Sequence, residues 1–574
     1  MNRIRILCAG VVASGVIGLA ACGEGLIDVP NQTQPDTRRV LASPADAENL
    51  VTGYFKRFLA GLQGSTTNME SLTSIMSFMN FSSLANNAFN THTPFTSFIN
   101  INDPGNIAQG EQNRLYNIDS EVNRVATNFL TTLGSDDLPT LGTPAQDLRA
   151  KSFAEFLRAL SIGYSALMYD SLAVVSVGQS GDDAGELVGY KVAFDSSMAA
   201  FARAIAYAED PAASGPGGFP LKAEWIPGNS AGSASWNSAT FVRLMRTYRA
   251  RLRAQVGRTK AERDAADWAA IVADAQNGIQ SDFKITTSSG TGTGTGIVNS
   301  WASQFEQFTT WHQMPPLIIG MGDNSGSYAQ YLATALSNRG AGNQGFLMTT
   351  PDQRFPQGTT RAAQQADFPL TTCAAANTPC KRYFVNRNGN DQYTGAGWGW
   401  SNYDFVRFHS WAVSGDAGSS RVGLFPFFTK AEIDLLQAEG LLRTNQGAAA
   451  LPLINNTRVA NGKLPPLTAA DLAANVVPGG ADCVPKVPSA ASQVPQCGSI
   501  FEAMKWEKRI EVGFTTYSPW FLDSRGWGDL AENIPLFWAT PYQELQARHL
   551  PIYSAGNGVG TAPNSHATKG TYGW

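Results

Sequence analysis

Histidine and cysteine are scarce in this chain of 574 residues, with five of the first and six of the second. The histidines (His92, His312, His409, His549 and His566) never fall in an H-E-x-x-H arrangement, so no catalytic zinc ligand set is visible, and no cofactor or metal is expected. Charge is sparse as well: 15% of residues, with 46 acids against 42 bases and a net charge of -4. A mildly acidic chain argues against a phosphate-backbone partner, and no nucleic acid is expected. Long apolar runs are missing beyond residue 21, so nothing after it is expected to span a membrane. Strand-like alternation is rare.

What is present begins at the N-terminus. Arg3 and Arg5 precede the uncharged run Ile6 to Ala21, which is shorter than the roughly 18 residues a spanning helix needs and reads as a signal peptide. Leu19-Ala20-Ala21-Cys22 looks like a bacterial lipobox, so cleavage is expected before Cys22, leaving that cysteine acylated. Each buried CH₂ of an acyl chain gains about 0.8 kcal/mol, so a multiply acylated cysteine holds a soluble body firmly on a bilayer. Without residues 1–21 the chain keeps 40 bases and 46 acids, a net charge of -6. Cys8 leaves with the signal. The four cysteines left fall into two local pairs, Cys373 with Cys380 and Cys483 with Cys497, expected as loop-closing disulfides in an oxidising compartment. A four-cysteine zinc site would want close C-x-x-C spacing, which is absent.

The 56 glycines and 30 prolines, with 43% hydrophobic residues, imply a large core together with much irregular structure. Residues 22–42 read as a lipidated tether, and 43–574 as one α-helical body with loop-rich insertions at about 286–428. Ser43-Pro44 marks the first helix start. From Thr143-Pro144-Ala145-Gln146, which has the form of a capping box, Phe153, Phe156, Leu157, Leu160, Tyr164, Leu167 and Met168 share one stripe. A second helix puts Phe241, Leu244, Met245, Tyr248, Leu252 and Val256 on its buried stripe. Its arginines 243, 246, 249, 251 and 253 lie largely outside that stripe, as a solvated or salt-bridged face. A third opens at the capping box Thr429-x-x-Glu432, and a fourth near Ile500. The fold class is therefore mainly α, with helix pairs of a degenerate tetratricopeptide-like kind and long irregular loops; no fixed period of about 34 residues is visible.

Several motifs occur in one order. Leu26-Ile27-Asp28-Val29-Pro30 follows the lipid cysteine; Phe153, Arg158, Ala159, Tyr169 and Asp170 mark the 150–169 segment; and Ala431-Glu432 through Ala438-Glu439 forms a helix. Trp506-Glu507-Lys508-Arg509-Ile510-Glu511-Val512-Gly513-Phe514 precedes Trp520-Phe521-Leu522-Asp523-Ser524-Arg525-Gly526-Trp527-Gly528, and Leu550-Pro551-Ile552 comes last. In that order they resemble the SusD/RagB nutrient-binding lipoproteins of bacterial outer membranes, over essentially the whole mature chain. The departures mark a divergent member: Trp520 where the family often has Arg, Gly526 in place of a second Arg, and an ending of Gly570-Thr571-Tyr572-Gly573-Trp574. Glu507, Arg509, Glu511 and Arg525 are expected to pair beneath a packed helical end, holding geometry and not catalysing. The resemblance implies a lid on a TonB-dependent, SusC-like outer-membrane transporter, lipid-anchored and facing the extracellular side, that delivers oligosaccharides or peptides. Which of the two ligands it carries stays open.

A sugar needs flat apolar platforms and convergent polar groups. The stretch 390–404 interleaves both, and Tyr393, Trp398, Trp400, Asn402 and Tyr403 are its candidate ligand-binding residues; Trp301 and Trp311, beside Phe305, Phe308 and His312, form a second cluster. The amide-rich stretch Asn80 to Asn102 is a third. As for enzymes, Gly228-Asn229-Ser230-Ala231-Gly232 fits G-x-S-x-G, but Pro227 precedes it and neither strand nor helix flanks the serine. The Gly290 to Gly296 repeat lacks the lysine of a phosphate loop. No catalytic residue is nominated; the alternative is a lipid-anchored glycan hydrolase with an unrecognised carboxylate pair.

Overall fold

The computed structural model describes residues 44–63, 69–81, 93–95, 102, 103, 105, 109–179, 183–226, 236–287, 313–339, 346–369, 380–387, 397–399, 401–408, 423–515, 517–554 and 565–574. Within them the chain is mainly helical. Three short helices, α1 (Pro44–Val51), α2 (Tyr54–Gln63) and α3 (Met69–Met76), precede the long α4 (Gln109–Thr132) and α5 (Pro144–Met168). The antiparallel ribbon of β1 (Ser171–Val174) and β2 (Glu186–Gly189) leads to α6 (Tyr190–Glu209), α7 (Ser238–Gln255), α8 (Lys260–Asp264) and α9 (Trp268–Gln276). Strand β3 (Phe283–Thr287) is followed by α10 (Pro316–Ile319), α11 (Ser327–Ala333) and α12 (Arg361–Asp367). Then come β4 (Phe384–Asn386), β5 (Tyr403–Phe405) and β6 (Gly423–Phe428). The last part holds α13 (Lys430–Arg443), α14 (Gly447–Arg458), α15 (Ala469–Ala474), the β7 (Lys486–Val487) and β8 (Gln496–Cys497) hairpin, α16 (Ile500–Val512), α17 (Pro519–Trp527) and α18 (Tyr542–Ala547).

All four helices expected from periodicity form, and α5 exceeds its expectation. Its apolar stripe is buried, but so are Ser152, Glu155, Arg158, Ser161 and Ser165 on its other faces. A helix enclosed on all sides must satisfy each polar side chain internally. Here Ser152 and Ser197 bond carbonyls across the α5–α6 contact, Ser165 bonds Asp119, and Arg158 takes Glu155 and Thr127. Consecutive helices pack as neighbours, α4 with α5, α5 with α6, α6 with α7 and α13 with α14, in the expected helix-pair manner. Gly163 lets three of them meet, because a Cβ there would lie 2.8 Å from both Leu252 of α7 and Ser197 of α6.

The two expected capping boxes form by half. Thr143 accepts from the Gln146 N–H and Thr429 from that of Glu432, both through the side-chain oxygen. The return bonds are replaced by tertiary ones: Gln146 donates to Glu48, and Glu432 lies 3.3 Å from Arg251. The arginine face of α7 is salt-bridged as expected, Arg249 and Arg253 reaching Asp274 at 2.6 and 2.5 Å and Arg246 reaching Glu209 at 3.1 Å. Arg251 departs from that face and is only 1% exposed, its guanidinium bonded to Tyr164.

Among the described residues, four two-stranded ribbons are more sheet than the alternation suggested. The β3–β6 pair joins segments about the helical core with Ile285 opposite Phe425. Its inward residues Phe283, Ile285, Phe425 and Phe427 belong to a continuous core running from Ala47 to Trp574. A smaller core under α13, α14 and α16 gathers Leu435, Leu441, Ile454, Met504 and Trp527. Cys483 and Cys497 form the expected disulfide across β7–β8. Cys380 is buried and disulfide-bonded, while Cys373 lies outside the described residues. So do Cys22 and the signal and tether segments. Among the described residues no helix is long and apolar enough to cross a membrane.

Candidate functional site

The motif stretches that lie far apart in sequence meet around buried charges. Arg263 of α8 is fully enclosed and bridges Glu439 of α13 at 2.7 Å and Asp523 of α17 at 3.0 Å. Lys508 of α16 holds Asp523 at 2.9 Å, and the Trp527 indole N–H donates to Glu439. Burial works against the Glu439 charge, but Arg263, then Lys508 and Arg443, hold its carboxyl well below the usual range. A second knot places Arg354 between Asp352, Glu507 and Glu511, with Arg407 also on Glu511 at 3.0 Å. A third joins Arg509 and Lys505 to Asp529 at 2.5 and 2.7 Å. Breaking one member of such a set leaves an uncompensated buried charge, which costs about 3–5 kcal/mol. Glu507, Arg509 and Glu511 thus pair as expected.

Arg525 does not. It forms no ion pair among the described residues; its guanidinium donates to the Leu167, Leu536 and Gln255 carbonyls. The reason lies at the end of α5, whose last-turn carbonyls lack helical partners. Arg525 takes that of Leu167, Arg258 takes those of Ala166 and Tyr169, and the Trp538 N–H takes that of Met168. The vacancy at Gly526 also has a cause: a Cβ there would lie 2.4 Å from Cδ of Arg263, so the absent side chain clears the route by which Arg263 reaches its two acids. Trp520 is buried with its indole N–H on the Arg509 carbonyl.

Three of the candidate ligand-binding residues are described, and all three point inward. Trp398 is 7% exposed and edge-on to Phe78, Phe81 and Phe95 at 6.0, 5.1 and 5.0 Å. The Tyr403 hydroxyl donates to Gln364 at 2.8 Å, and Asn402 is 1% exposed, its carbonyl on the Arg387 N–H. These contacts pin residues 398 and 402–403 to the core. Tyr393, Trp400, Trp301 and Trp311 lie outside the described residues, as do Gly228–Gly232 and Gly290–Gly296. Asn102 is buried and ties Thr540 to Tyr553.

A cleft of about 790 Å³ opens where α5 ends, and sequence reasoning did not find it. It is walled by Tyr190, Arg258, Arg525, Phe537, His566 and Lys569. Its size falls within that of ordinary ligand pockets. Asp170 and Glu262 also face it: Glu262 is bonded through both oxygens, to Tyr190, Lys191 and the Arg258 N–H, whereas Asp170 accepts from Tyr553, Thr540 and Ser171 through Oδ1. Burial raises the Asp170 carboxyl against the hydrogen bond from Tyr553; Glu262, despite its burial, is lowered by the Arg258 amide, Tyr190 and Lys191. Arg258 and Arg525 are 267 positions apart and carry no local motif that would have joined them.

No family model matches the chain, and no curated protein matches it. Among solved structures, the chain is similar to a SusD homolog from Parabacteroides distasonis, at 11% identity over 85% of this chain and 86% of that one, with a TM-score of 0.49. A SusD superfamily protein from the same organism aligns at 10% identity over 84% and 87%, with a TM-score of 0.48. A SusD-like protein from Bacteroides fragilis aligns at 14% identity over 86% and 88%, with a TM-score of 0.42.

Proposed function

We propose that this chain is a lipid-anchored nutrient-binding protein of the SusD/RagB kind, displayed on the outer membrane, which captures an oligosaccharide or peptide and passes it to a TonB-dependent, SusC-like transporter. The observation that carries the reading is the meeting of separate motif stretches on one buried charge: Glu439 of the first lies against Lys508 of the second and Trp527 of the third. The residues that carry the sequence resemblance are thus the ones that lock its helices. The role is binding and not catalysis, with the lipid on Cys22 as the anchor. Trp398, Asn402 and Tyr403 hold the aromatic segment in place, and Tyr393 and Trp400, with Trp301 and Trp311, meet the ligand.

The test is a glycan and peptide array probed with the protein lacking its signal, followed by product analysis on each hit. Saturable binding with every ligand recovered intact is expected. Release of shortened oligosaccharide would overturn the proposal in favour of a hydrolase. Tyr393→Ala with Trp400→Ala should weaken retention at least about tenfold, as loss of stacking platforms worth about 1 kcal/mol or more each implies; unchanged retention by the folded double variant would remove that site.

A further inference from the structure

Positive charge is left over in the cleft at the end of α5. Arg258 packs against two rings, its guanidinium carbon 3.5 Å from the Tyr190 centroid and 4.7 Å from that of Phe537. It is 4% exposed, yet its Nε has no hydrogen-bond partner and it forms no ion pair among the described residues. Arg525 beside it is 1% exposed and also forms no ion pair among the described residues, and its Nε is unpartnered too. The Nε2 of His566, on the same wall, is the third such atom. A buried polar group without a partner is costly, so three on one cleft demand an explanation.

Capping of α5 supplies only part of one. The C-terminal end of a helix carries about half a negative charge, against two full positive charges on the arginines. Of the two acids on the wall, Glu262 is bonded through both oxygens and Asp170 through Oδ1, neither in an ion pair with Arg258 or Arg525; of the two lysines Lys260 is held by Asp264 at 2.5 Å while Lys569 is exposed at the rim. Burial pulls Arg258 down to about 10, outweighing the attraction of Tyr190, Asp170 and Glu262, and pulls Arg525 to about 9, with repulsion from Arg258 added and Tyr190 and Glu262 opposing.

We infer that this cleft binds a small oxyanion, the carboxylate, sulfate or phosphate group of a ligand, on Arg258, His566 and Lys569. A guanidinium offers planar donors to such a group, and the cleft of about 790 Å³ admits a body of sugar size. The inference stands apart from the nutrient-binding proposal, since it rests on the cleft alone.

Isothermal titration of the full mature protein with glucuronate, sulfate and phosphate at constant ionic strength, with glucose as the neutral control, tests it. At least one oxyanion should bind saturably while glucose does not, and the three titrations separate a carboxylate site from a sulfate or phosphate site. Lys569→Glu, at an exposed position where folding is not at stake, should weaken binding at least about tenfold, and Arg258→Met more, as loss of hydrogen bonds to charged groups implies. Circular dichroism checks the fold of both variants, and Lys569→Glu decides alone if Arg258→Met unfolds. Absence of saturable binding for all three anions, equal binding of glucose, or undiminished binding by the folded variants would each overturn the inference.

Discussion

Arg263 shows how much rests on single side chains here. It holds two acids at once with no solvent to screen the loss, so Arg263→Met should destabilise the protein by about 3–5 kcal/mol. In a double-mutant cycle with Glu439→Gln, the pair should be less damaging than the sum of the single changes, read by urea denaturation. Trp398→Ala should also cost about 3–5 kcal/mol, because a ring enclosed by three phenylalanines leaves a cavity behind. Glu432 titrates within reach of ordinary buffers. Burial raises its carboxyl to about 7 from an ordinary 4.5, outweighing Arg251 and Lys508. The folded protein therefore keeps a proton that the unfolded chain loses as pH rises past 4.5. That contribution to stability is complete below 4.5 and is lost as pH climbs to about 7. Glu432→Gln should flatten this fall, changing the wild-type-minus-variant stability by about 3 kcal/mol between those limits, as measured by denaturation across pH.

Elements were legible where their cause was local. The starts of α5 and α13 follow from Thr143 and Thr429, and the apolar stripes of α5 and α7 mark buried faces. The hairpin disulfide was legible from cysteine spacing, and replacing Cys483 and Cys497 with Ser should cost about 3 kcal/mol, the loop-closure value for a ring of this size, seen as a lower denaturation midpoint. What sequence could not show was which partner each polar group takes. Glu432 and Gln146 have the spacing for a local return bond, yet they turn to Arg251 and Glu48. Arg525 sits in a motif full of paired charges but serves helix carbonyls instead, because the end of α5 happens to lie there. Aromatic residues in a glycine-rich loop gave the same composition for a platform as for an anchor; only packing separates Trp398 from a ligand contact.

At the scale of the molecule, one core reaches from the first described helix to the last residues, so the body is expected to respond to destabilisation as a whole. The proposed anchor adds a separate property. Cys22→Ser should leave the denaturation midpoint of that body unchanged while moving the protein from the membrane fraction to the soluble one, as loss of the acyl chains requires; persistence in the membrane fraction would argue for another means of attachment.

The end of α5 has a consequence in time. Its four last carbonyls wait for residues 169, 258, 525 and 538, so the central helix cannot be completed until nearly all of the chain has been made available. Contacts this distant in sequence form slowly, and until they do the apolar face of α5 is open to misassociation. A chain delivered from its N-terminus thus carries its longest described helix uncapped for most of the journey. Arg525 and Trp538 are the last of those partners to arrive.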